Sequence, residues 1–185
     1  MPPPIKVDLV AHDPQWAALA RAEAERISAA AGSCLVAVHH IGSTSIPGIH
    51  AKPVLDLLPV VRDLEAFDAC RPAIEALGYE WWGEYGLPGR RYCTKSDPQS
   101  GFRLAQAHCY LEGSPEVMRH LAFRDYLRAN ADIAAEYERL KQDCRDAHPD
   151  DSHAYSDCKD SWIKRIEAQA LQEYRPAFKS IPCGQ

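Results

Sequence analysis

Up to about residue 111 the apolar positions alternate between strand-like and helix-like runs, and beyond it they recur only with helical spacing. The chain begins with an extended stretch at 5–10. Asp13 then suits a helix N-cap and Pro14 the first helical position, predicting a helix that runs to Ala31 and stops at Gly32. Residues 35–41 form a short, β-branched strand, and the turn-rich 42–48 interrupts the pattern. Residues 54–61 are an apolar run holding one charge, as expected of a strand buried on both faces. Asp63 caps a helix expected to run to Leu77, with Gly78 beyond it. Strands at 79–84 and 90–94 follow, joined through Gly86-Leu87-Pro88-Gly89, and 102–111 form the last strand. Alternation puts one ring of Trp81-Trp82 inward and the other outward.

Ser114-Pro115-Glu116 supplies a cap, a first-turn proline and an acid placed for the helix dipole. Ile133, Tyr137, Leu140 and Cys144 share one helical face, as do Tyr155, Trp162, Ile166 and Ala170, with His148-Pro149-Asp150-Asp151 between the two helices. The pattern predicts an α+β protein: a small mixed sheet with one crossover helix, then a C-terminal helical cluster packed on it. A single domain over 1–174 and a loose tail at 175–185 are expected, without repeats or linkers.

Composition changes this picture little. At 185 residues, 46% hydrophobic and 25% charged, the chain is ordinary for a globular protein. No run approaches the roughly 20 apolar residues of a membrane span, and residues 1–6 have no secretory character, so a cytoplasmic protein is expected. A net charge of −5 argues against an extended nucleic-acid surface, which calls for a basic face. The seven cysteines are scattered and never spaced as CxxC, which reads as reduced thiols, several of them core hydrophobes.

The least ordinary segment runs from His39 to Asp56. An apolar strand meets Gly42-Ser43-Thr44, and a second strand then carries one acid, Asp56, in apolar surroundings. Glycine lets backbone N–H groups approach a phosphate, and a serine hydroxyl adds a donor. A strand acid opposite that turn can hold a divalent metal against phosphate oxygens. The plain alternative is a tight turn with a capped structural acid. Lys52 follows the turn, held extended by Pro53, and can neutralise a phosphate or lie solvated. Arg91 and Lys95 have the same two readings, with Tyr92 between them able to stack on a ring. Arg124 and Asp125 read as structural ion pairs.

His40-Ile41-Gly42-Ser43-Thr44, Pro47-Gly48, Ala51-Lys52-Pro53 and Asp56 together resemble the pattern of the GrpB family. The likeness continues through Gly89-Arg90-Arg91-Tyr92, Gly113-Ser114-Pro115-Glu116, residues 120–128, Lys141 and residues 155–162, so it spans nearly the whole chain to about residue 170. The resemblance implies a sheet of nucleotidyltransferase type. Active enzymes of that superfamily place Gly-Ser after one strand and an acid-apolar-acid pair on the next. Here the second acid is Leu58. The family's His-x-His pair reads Gln106-Ala107-His108, and its common glutamate is His39.

The implied site therefore has Asp56 and His108 as catalytic candidates. Gly42, Ser43, Thr44, Lys52, Arg91, Tyr92 and Lys95 are candidates for phosphate or substrate, and Asp56, His108 and His40 for one Mg²⁺ or Mn²⁺. The partner expected is a small anionic or nucleotide substrate, and a homo-oligomer is compatible with the sequence. Three functions stay open: a nucleotidyltransferase-like enzyme, a ligand binder without catalysis, and a metal-independent hydrolase or cyclase using His108 as acid and base.

Overall fold

The computed structural model describes residues 6–174. Helix α1 (Gln15–Ala31) precedes strands β1 (Leu35–Ile41) and β2 (Leu55–Val61). Two short helices follow, α2 (Leu64–Ala69) and α3 (Arg71–Ala76), then strands β3 (Tyr79–Gly83), β4 (Arg91–Ser96) and β5 (Arg103–Leu111). Helices α4 (Pro115–Ala129), α5 (Ala131–Ala147) and α6 (Ser152–Glu173) complete the described chain.

The one crossover helix expected at 63–77 is two. Asp63 caps the first through the backbone N–H groups of Glu65 and Ala66, as its spacing predicts, but Pro72 lacks the N–H that would continue the same helix past Cys70. Val10 pairs with Ala51 in an isolated bridge, which is as far as the extended N-terminal stretch goes as a strand; the tail expected after Tyr174 lies outside the described residues.

The sheet is mixed, in the order β1-β2-β5-β4-β3. β2 and β5 are parallel, joined by the α2–β4 crossover, and every other pair is antiparallel. Leu57, Val61, Cys93, Ala105, Ala107 and Cys109 pack on one face against Ala20 and Ile27 of α1, Phe67 and Ile74. The opposite face carries Leu58, Val60 and Tyr110 against Val117 of α4. The turn after β1 is then sealed by the helical cluster, where Ile46 and Ile49 pack with Leu127, Ala134 and Tyr137. Trp81 packs on Phe67, and the Trp82 indole donates to Thr94 Oγ1, so the two rings do part to opposite faces.

The expectation of reduced thiols fails for one pair. Cys144 of α5 and Cys158 of α6 are joined in a disulfide with Cα atoms 5.9 Å apart. Their separation of 14 residues spans a helix-to-helix turn, a closeness that only the packing of α5 against α6 creates. Cys93 and Cys109 are buried and free, as expected of small core hydrophobes. Among the described residues no helix is long and apolar enough to cross a membrane.

Candidate functional site

Strand alternation fixes which candidates can meet. Asp56 pairs across the parallel ladder with Gln106, and His108 lies two residues further on the same face. Tyr92 pairs with His108, which puts its ring on that face too. Arg91 pairs with Cys109 and Lys95 with Ala105, so both point to the other side of the sheet. His40 pairs with Leu57, again on the side away from Asp56.

A cleft of about 490 Å³ opens on the Asp56 face. Its walls include Gly42, Ser43, Thr44, Lys52, Asp56 and Tyr92 from the candidate set. They also include Tyr85, Arg103 and Gln106 from the sheet side, and Tyr137, Lys141, Tyr155 and Lys159 from α5 and α6. Four cations, Lys52, Arg103, Lys141 and Lys159, thus face a single carboxylate. The protein is acidic overall, yet this cavity is cationic.

The floor is a hydrogen-bonded chain. Tyr92 donates its hydroxyl to Gln106 Oε1 at 2.7 Å, and Gln106 Nε2 donates to Asp56 Oδ1 at 2.6 Å. His108 Nε2 stands 3.8 Å from the same carboxylate oxygen. Burial alone would raise the Asp56 carboxyl, but His108, the Gln106 amide and Lys52 outweigh it and hold the group below its ordinary range. Asp56 is therefore an ionised carboxylate at neutral pH.

The turn above it is built by Gly42, whose φ of 67° and ψ of −173° belong to a region that essentially only glycine adopts. Ser45 donates both its N–H and its hydroxyl to Gly42 O, and Ile46 N–H donates to Ser43 O, closing a single tight turn. Arg124 and Arg128 of α4 donate to the carbonyls of His40 and Ser45, and Arg124 also pairs with Asp125 at 2.7 Å. Ser43 and Tyr137 line the same cleft, one from the turn and one from α5. His40 supports the turn from behind through a 2.9 Å hydrogen bond to Thr44 Oγ1, and its burial lowers it to about 4, so it is neutral.

The helices supply the opposite wall. Lys159 lies 3.8 Å from the Tyr155 ring centroid, and Lys52 approaches the same ring at 5.4 Å. Lys141 is almost fully buried, donating to His50 O and lying 4.8 Å from the Tyr137 ring. Burial lowers Lys159 to about 7, helped by the charges of Lys52 and Lys141 and opposed by Asp56. Burial likewise lowers Lys141 to about 8 and lowers Lys52. Arg103 Nε is buried with no hydrogen-bond partner among the described residues. Crowded, desolvated cations and an unpaired guanidinium nitrogen are what an anion would satisfy.

Three of the sequence candidates are thus structural in position. Arg91 makes a two-pronged pair with Asp68 of α2 at 2.5 and 2.6 Å. Lys95 pairs with the buried Glu23 of α1 at 2.8 Å. His40 braces the turn. His108 lies beside Asp56 but does not line the cleft. Conversely, Lys141, Lys159, Tyr137 and Arg103 were not singled out as site residues. Lys141 had a usable signal: it stands four residues after Tyr137 on the apolar face of α5, where a charge is out of place.

The residues present do not fit a two-ion centre. Leu58 stands on the Asp56 face where a second acid would be, fully buried among Ile41, Val60, Tyr110 and Val117. Among the described residues no group of three or more His, Cys, Asp or Glu is arranged to hold a metal.

Comparison with known proteins agrees with the motif reading. The family model described as "GrpB protein" matches residues 6–169. The chain is 42% identical over 168 residues to the UPF0157 protein YqkA of Bacillus subtilis, covering 91% of this chain and 48% of that protein. It therefore spans about half the length of that relative. The crystal structure of the conserved protein GrpB from Enterococcus faecalis is similar with a TM-score of 0.84 at 40% identity, covering 90% of this chain and 99% of that one. At a lower level of likeness stands Cid1 in complex with its short product ApU, with 14% identity and a TM-score of 0.46 over 65% of this chain and 38% of that one.

Proposed function

The chain belongs to the GrpB family, and we propose that its cleft binds a small phosphate-bearing ligand on a nucleotidyltransferase-like scaffold. One observation carries this reading: Lys52, Arg103, Lys141 and Lys159 converge from four separate segments on a cavity with one carboxylate. Packing alone gives no reason to bury like charges together, since each desolvated ammonium costs free energy until an opposite charge arrives. The phosphate groups lie between the Gly42-Ser43 turn and the lysines of α5 and α6. A single Mg²⁺ or Mn²⁺ carried in on the ligand's phosphates would meet Asp56, the one acid of the wall. Transfer to or from that ligand is the reaction class we propose for this scaffold.

A second reading is a binder that does no chemistry, and buried Leu58 favours it, because two-metal transfer needs carboxylates that bridge two ions. Calorimetric titration separates the outcomes. Inorganic tripolyphosphate and ATP are each titrated with Mg²⁺ and with EDTA. Saturable binding of both in EDTA, weakened at least tenfold by Lys159→Ala, is expected. Absence of binding by either compound under all conditions would sink the proposal. Turnover of ATP that requires Mg²⁺ and is lost in Asp56→Asn would favour the enzyme over the binder.

A further inference from the structure

Tyr85 is the only non-glycine residue with positive φ among the described residues, at 46°. Bulky side chains avoid that region, and holding one there costs free energy. Flexible glycines stand close by at 83 and 86, so the turn is not short of residues that adopt it freely. The strain is maintained by Arg90, which donates to the carbonyls of Glu84 and Tyr85 at 3.2 and 2.7 Å. Arg90 is buried, with no carboxylate ion pair among the described residues, and its guanidinium lies 4.8 Å from the Tyr92 centroid. Glu84 completes the turn by accepting from Gly89 N–H at 2.7 Å. A buried cation has been committed to the shape of this one loop.

The loop delivers a ring to the cleft wall. Tyr85 stacks on Tyr92 with centroids 5.3 Å apart and planes 26° apart, and Trp82 meets Tyr85 edge-on at 5.6 Å. Tyr92 is occupied on several sides, by Tyr85, Arg90, His108 and its hydrogen bond to Gln106. Tyr85, which also has the Arg90 guanidinium 5.9 Å from its centroid, lines the cavity beside Tyr92. From the strand bearing Tyr92 to the strand that leads into Gly42 there are three strand spacings, β4 to β5 to β2 to β1. At roughly 4.8 Å each, that is about 14 Å, the reach of a base, a sugar and a short phosphate chain rather than of phosphate alone.

We propose that Tyr85 is the ring-stacking and specificity-determining residue of the cleft, holding the flat heterocycle of a nucleotide whose phosphates lie at the Gly42-Ser43 turn. This deepens the phosphate-ligand reading and rests on it. Stacking on an aromatic side chain is tolerant of base identity, so the residue selects nucleotides over inorganic phosphates more than one base over another.

The test compares ATP with inorganic tripolyphosphate on the native chain, Tyr85→Gly and Tyr85→Phe, with melting temperatures measured in parallel. Glycine relieves the positive φ while losing the ring contacts to Tyr92 and Trp82, two opposed effects of similar size, so Tyr85→Gly is expected to melt close to the native chain. ATP affinity falls about tenfold or more in that variant, tripolyphosphate affinity stays within twofold, and Tyr85→Phe restores ATP binding. ATP affinity unchanged in Tyr85→Gly, while both compounds bind the native chain, overturns the stacking role alone. An equal loss for ATP and tripolyphosphate, with a lower melting temperature, makes Tyr85 structural and also overturns it. Failure of both compounds to bind the native chain overturns the phosphate-ligand reading, and the stacking role falls with it.

Discussion

The carboxylate of Asp56 occupies the space that a side chain on Gly42 would fill: a Cβ there would stand 2.2 Å from Asp56 Oδ2. The turn and the acid are thus a fitted pair, and Gly42 is required both for its dihedral angles and for this approach. Gly42→Ala should destabilise the fold by about 1–3 kcal/mol through the backbone alone, and further through displacement of Asp56. Gly48 also has positive φ, at 81°, but a Cβ there would meet nothing within 4 Å. Gly48→Ala should therefore cost only about 1–2 kcal/mol. Urea unfolding of the two variants measures the difference, and equal losses would refute the steric pairing.

Anion affinity and ligand-free stability should respond to pH in opposite senses. Burial and the neighbouring lysine charges lower Lys159 to about 7, and burial lowers Lys141 to about 8. Raising pH from 6.5 to 9 removes these charges, so tripolyphosphate affinity should fall. The unfolded chain, whose lysines titrate near 10.5, holds more protons than the folded one between about 7 and 10.5. The contribution of these lysines to stability therefore rises with pH across that window. Titration calorimetry across the range, paired with denaturant melts of Lys159→Met and the native chain, checks both signs.

Arg91 and Lys95 should matter to the fold and not to the ligand. Arg91→Ala removes the pair that ties β4 to α2, a partly exposed contact worth about 1 kcal/mol. Lys95→Ala leaves the buried carboxylate of Glu23 with the more exposed Arg26 as its remaining cation and should cost more. In both variants the affinity for tripolyphosphate is expected to match the native chain. A tenfold loss in either would return these residues to the site.

Reducing the Cys144–Cys158 bond should lower stability without abolishing the fold. Closing a loop of this size removes roughly 3 kcal/mol of freedom from the unfolded chain, which for a protein of this length is a fall of roughly 6–12 °C in melting temperature. Cys158→Ser should reproduce the effect in the absence of reductant. An unchanged melting temperature in dithiothreitol would show that the bond does not form in solution.

What could be read from the sequence was what rests on local rules. The strands, the cap at Asp63 and the shared face of Asp56 and Leu58 follow from period-two alternation and capping chemistry. The same alternation already separates Tyr92 from Arg91 and Lys95, yet which face of β4 meets the cleft depends on its pairing with β5. Pairing is non-local, and that is why two cations of the wrong face entered the candidate set. Lys159 was harder still, and Lys141 showed itself only as a charge on an apolar helix face. They come to Asp56 only because α5 and α6 fold back over the sheet, and sequence spacing between a strand and a distant helix carries no trace of it. The Cys144–Cys158 bond was missed for the same reason.

The crowding of Lys52, Lys141 and Lys159 around Tyr137 and Tyr155 has one more consequence. Three ammonium groups that repel one another make the ligand-free protein less stable than its packing allows. Whatever compound relieves that repulsion raises the melting temperature by mass action. Heat resistance then works as a detector of the physiological ligand. A metabolite library can be ranked on the unmodified protein by melting temperature alone, with no assumption about which bond, if any, it makes or breaks.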